Sequence, residues 1–134
     1  MVLTLQEKEK LYNKALALYE KIKNIKTRES IEVSVPTKYY PSNSRYSDYG
    51  FRYRLSGSMS MFANDIEDCL EELKNYLAFK NGTGEEYVNN KSARWVSDYS
   101  INALLDFIYY GDKILNTINE KNEQGRKELN DLLS

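Results

Sequence analysis

Apolar residues recur along this chain at two different periods, and the switch between them divides it into parts. In "LYNKALALYEKIKNI", Leu11, Ala15, Leu18, Ile22 and Ile25 step by 4, 3, 4 and 3, the spacing that lines one face of an α-helix. Tyr12, Leu16 and Tyr19 widen the stripe. Thr4 precedes it, and Glu7 follows three residues later. A Thr hydroxyl and a Glu carboxylate at that spacing can each accept from the other's backbone N–H, so a first helix is predicted to start near Thr4. A second stripe, Phe62, Ile66, Cys69, Leu73 and Tyr76, repeats the same steps. It stops at Asn81-Gly82, where glycine can take the left-handed conformation that closes a helix.

The third stripe runs through Ile101, Leu104, Ile108, Gly111, Leu115 and Ile118. Gly111 weakens that helix but lets a neighbouring backbone come close. Thr83-Gly84-Glu85-Glu86 has the form of another capping box and predicts a further, shorter helix. Over residues 84–120 the pattern fits one helix or two. In the tail, Leu129, Leu132 and Leu133 predict a short final helix.

Between the first two stripes the period falls to two. Ile31, Val33 and Val35 alternate with Glu32 and Ser34, and Phe51, Tyr53 and Leu55 alternate with Arg52 and Arg54. Each reads as a strand with one apolar face. Antiparallel pairing of Val35 with Phe51 places Glu32 opposite Arg54, a cross-strand ion pair worth tenths of a kcal/mol. The connection from Pro36 to Gly50 is long for a hairpin. The predicted fold is mainly α (α+β). It is a bundle of three long helices plus a short C-terminal helix, with a two-stranded antiparallel β-hairpin inserted between helices 1 and 2. The whole reads as a single domain, with a helix at about 4–27, the hairpin at about 30–56, a helix at about 58–80 and a helical region at about 84–133.

Composition narrows the chemistry. With 134 residues and 41% hydrophobic content the chain can bury a core without crosslinks. Its net charge of −1 conceals an asymmetry. Residues 1–56 hold 11 Lys/Arg against 6 Asp/Glu, and residues 57–134 hold 8 against 14. One cysteine fits a reducing compartment. The first residues lack the apolar run of a signal peptide, and no window approaches a bilayer span. The expected setting is cytoplasmic, away from membranes.

The chain has no histidine, which excludes Ser-His-Asp and Cys-His catalysis and removes the commonest metal ligand. Cys69, inside an apolar stripe, reads as core. "NGTGEE" lacks both the preceding strand and the Lys-Ser/Thr of a phosphate loop. The carboxylates Asp65, Glu67, Asp68, Glu71 and Glu72 read as a solvated helix face in preference to an acid–base pair. No enzyme activity, metal or cofactor is expected.

What stands out is "KYYPSNSRYSDYGFRYR", residues 38–54. Tyr39, Tyr40, Arg45, Tyr46, Tyr49 and Arg52 form a candidate binding surface, because Tyr and Arg bring rigid area and directional hydrogen bonds to interfaces. The plainer reading makes Phe51 and Tyr53 core and leaves the tyrosines half-buried under a loop. As a surface, the segment suits a host or cognate protein partner first. A nucleotide or other phosphorylated ligand, held by guanidinium forks, comes second. Nucleic acid comes third, set back by the acidic pI of 5.6. Self-association into a homo-oligomer is compatible with such a surface. Many inhibitors made by phages and other mobile elements are similar in general character, being short, acidic, tyrosine-rich and without catalytic residues. The sequence-based expectation is a non-enzymatic anti-defence inhibitor that docks onto a host protein.

Overall fold

The computed structural model describes residues 2–25, 31–35, 38–39, 51–55 and 64–134. It is mostly helical. Helix α1 (Leu5–Lys23) is followed by strands β1 (Ile31–Val35) and β2 (Phe51–Leu55), then by helix α2 (Asn64–Lys80). A miniature hairpin, β3 (Tyr87–Val88) and β4 (Lys91–Ser92), leads into helices α3 (Asp98–Tyr109) and α4 (Gly111–Leu133). The β1–β2 pair is antiparallel, with Val35 opposite Phe51 and Glu32 opposite Arg54, the register in which those two pairs go together.

α1 begins at the predicted cap. Glu7 N donates to Thr4 Oγ1 at 3.1 Å, and Thr4 N donates to Glu7 Oε1 at 2.9 Å. The face it buries is Leu11, Ala15, Tyr19 and Ile22, so Tyr19 takes the central place expected of Leu18. Leu18 is displaced to the flank, where Cδ2 lies 2.9 Å from the position a Cβ on Gly111 would occupy. The close approach at Gly111 is therefore made by a side chain of α1, where the sequence suggests a backbone.

α2 buries Ile66, Cys69, Leu70, Leu73 and Leu77. Cys69 is 2% exposed, in the core as its spacing implies. Phe62 lies outside the described residues. The helix closes at Gly82, whose φ is 76°. Thr83 N donates to Ala78 O at 2.9 Å and Gly82 N to Phe79 O at 3.1 Å, the paired bonds that satisfy the last carbonyls of a helix.

That closure removes the short helix expected after Thr83. The Thr83 N–H and hydroxyl both bond to Ala78 O, so Thr83 finishes one helix and cannot cap another. Gly84 lies against the same turn, with only 2.7 Å between its would-be Cβ and Ala78 Cβ. The chain instead turns through Asn89 and Asn90, both at positive φ, which makes the tight link between β3 and β4. Residues 84–120 thus contain two helices, parted at Tyr110 (φ −96°, ψ 12°). The leucines of the tail are the last turns of α4, and no separate terminal helix forms there.

α1, α2 and α3 pack on one another, and α4 continues past α3 to lie against β1. Ile101, Leu104, Phe107, Ile114 and Ile118 complete the core, and Val33 of β1 is buried with them. Phe107 and Ile114 take the deepest places, and Ile108 and Leu115 are half-buried beside them. The predicted stripe and the buried one are adjacent rows of the same helical face. Among the described residues no helix is long and apolar enough to cross a membrane.

Candidate binding surface

Among the described residues, charge enters the core at one place. Asp106 on α3 is fully buried, one turn before Tyr109 and Tyr110. Its Oδ1 accepts from the backbone N–H of Lys38 at 2.9 Å and of Tyr39 at 2.8 Å. Among the described residues its Oδ2 has no hydrogen-bond partner. Burial pushes the Asp106 carboxyl above the usual carboxylate range, and the two backbone bonds pull partly back. A buried carboxylate is expensive to keep. Here it pins the chain just beyond β1 to the end of α3.

The pin sets an aromatic cluster at the surface. Tyr39 and Tyr109 meet edge to face with ring centroids 6.1 Å apart, and Tyr109 meets Tyr110 in the same way at 4.8 Å. The Lys38 ammonium stands 4.8 Å from the Tyr109 centroid and 6.0 Å from that of Tyr39. Each such contact contributes about 0.5–1 kcal/mol at an exposed site. Tyr109 remains 53% exposed. The result is a preorganised cation-and-tyrosine face carried on a helix end.

Of the sequence-predicted residues, Tyr39 belongs to this face. Tyr40, Arg45, Tyr46 and Tyr49 lie outside the described residues, as does the side chain of Arg52, whose backbone is in β2 opposite Ser34. Tyr109, Tyr110 and Asp106 were missed by sequence reasoning. They fall within the third helical stripe, and "IYYGD" gives no spacing that separates an exposed tyrosine from a packed one. The adjacent Tyr109-Tyr110 pair, too bulky for both members to face inward, was the available signal.

The carboxylates of α2 are not uniformly solvated. Glu72 Oε1 accepts from Ser97 N at 2.8 Å, and Oε2 accepts from Ser97 Oγ at 3.2 Å and from Ser100 Oγ. Ser97 is the N-cap of α3. Glu72 is therefore committed to the start of another helix, where negative charge is favoured. Among the described residues no group of three or more carboxylate or thiol side chains is placed to hold a metal ion. No protein-family model, curated protein or solved structure matches this chain.

Proposed function

We propose that this chain is a non-enzymatic binding protein that docks onto another protein through its tyrosine- and cation-rich face, in its most concrete form an inhibitor that covers a host effector. The observation that carries the reading is the exposed Tyr109 ring, flanked by Tyr110 and by Tyr39 and Lys38, whose backbone Asp106 holds in place. Rigid aromatic area with a cation beside it is what interface hot spots use, and presenting it from a helix end limits the entropy lost on docking. Arg45, Tyr46, Tyr49 and Arg52 extend the same chemistry along the chain that leaves Tyr39.

The test is a pull-down from the native host with wild type and Tyr109→Ala side by side, analysed for co-purifying proteins and nucleotides. A protein retained by wild type and lost with Tyr109→Ala supports the proposal. Loss of roughly 2 kcal/mol or more is expected for a central aromatic. Equal recovery by both chains, or a released nucleotide as the sole specific ligand, overturns it.

A further inference from the structure

The segment joining α2 to α3 carries the chain's single tryptophan into water. Trp95 is 68% exposed, and an indole left outside forgoes burial worth roughly 2 kcal/mol. Its support is firm on both sides. Before it, Ala93 is buried and donates its N–H to Glu86 O at 2.7 Å. After it, Val96 packs on the core and Ser97 N is held by Glu72. The indole is thus displayed from a fixed position, which limits the ordering cost of any contact it makes.

Its surroundings are negative. Residues 67–72 and 85–98 hold seven carboxylates and two cations. Glu67 and Glu71 lie toward Tyr19 and Tyr12 of α1, so among the described residues Asp68, Glu85 and Asp98 carry the negative charge not otherwise engaged. One of those cations, Arg94, is already paired with Glu86. The Glu72–Ser97 bond ties the acidic helix to the tryptophan-bearing loop. Asp68, one turn from Glu72, and Asp98, next to Ser97, are both exposed.

We infer that this edge is a second docking surface, specific for a basic, Arg- or Lys-containing segment of another protein. The indole face is the strongest aromatic acceptor of a cation, and Asp68 and Asp98 meet the same charge by Coulomb attraction. A nucleic acid would stack on the ring but would bring phosphates into a field of carboxylates. The surface is separate in residues and opposite in charge to the Tyr109 face, so it stands or falls independently of that proposal.

Because Trp95 is the only tryptophan, its emission reports on this edge alone. Octa-arginine titrated into the full chain in about 0.15 M salt is expected to change that emission saturably. Octaglutamate and oligothymidylate are expected to leave it unchanged. Replacing Asp68→Asn and Asp98→Asn together is expected to weaken octa-arginine about fivefold or more, with an unchanged circular dichroism spectrum. Should that pair fail to fold, Asp98→Asn alone serves, with a loss of about twofold. The absence of a saturable change, equal affinity in the neutralised variant, or tighter binding of oligothymidylate would each overturn the inference.

Discussion

Two helices in this protein begin in different ways. α1 is capped by its own neighbours, Thr4 and Glu7 exchanging backbone and side-chain bonds across three residues in full solvent. α3 is capped by Ser97, but Ser97 and the buried Ser100 both depend on Glu72, which arrives from α2. Both starts use a hydroxyl and a carboxylate. The first can form as soon as the local chain turns. At the second the Ser97 hydroxyl also accepts locally from Ser100 N at 3.2 Å, but its carboxylate arrives only once two helices have docked. The same chemistry therefore supports secondary structure in one place and tertiary structure in the other.

The comparison sharpens most under Glu72→Ala. Removing that carboxylate strips acceptors from Ser97 N and from two hydroxyls, one of them buried. Urea denaturation should show a loss of about 2–3 kcal/mol, with the docking of α3 affected along with its first turn. Thr4→Ala should cost less, about 1 kcal/mol, with backbone resonances beyond the first turn of α1 unmoved. Equal losses from the two substitutions would erase the distinction.

Asp106 extends the tertiary case to a fully buried carboxylate, and its signature is a slope with pH. Its folded pKa is raised by burial, so the native state holds the proton more tightly than the unfolded chain. Stability from this group is then full below the unfolded value and declines as pH climbs from about 4 toward the folded value. Asn keeps an oxygen for Lys38 and Tyr39 but cannot ionise. The stability of Asp106→Asn relative to wild type should therefore rise across that window. A difference independent of pH would show that folding leaves the Asp106 pKa unshifted.

The smallest effect belongs to Glu7, whose pKa is lowered chiefly by the Thr4 backbone N–H and then by its hydroxyl. Its contribution is present above the unfolded carboxylate value and fades as pH falls through the folded one. An NMR titration of Thr4→Ala should find the Glu7 pKa moved back toward the ordinary value. The return is partial, because alanine keeps the backbone N–H; an unchanged midpoint would mean that the Thr4 hydroxyl takes no part in holding Glu7.

What was legible in the sequence follows the same division. The cap at Thr4, the stop at Gly82, the two alternating strands and the burial of Cys69 are set by residues close in the chain or by simple period. The turn after Thr83 was misread because the capping-box pattern rests on two residues and takes no account of a preceding helix that uses Thr83 itself. Glu72 and Asp106 were not legible as anchors, since their partners lie 25 and 67 or more residues away. Trp95 and Tyr109 escaped for another reason. Period reveals which side chains go in, and an exposed aromatic differs from a buried one only by what the rest of the fold fails to cover.

α4 gives that last point a dynamic side. Its buried residues end at Ile118, yet the helix runs on to Leu133, roughly 22 Å further. Those turns depend largely on their own backbone bonds, and Gly125 sits among them with nothing within 4 Å of where a Cβ would be. A stretch of that length is marginal alone in water, so amide hydrogens along α4 should exchange at graded rates, slow up to Ile118 and fast beyond Gly125. One continuous helix in space is, by its opening equilibria, two: a fixed root and a fraying arm.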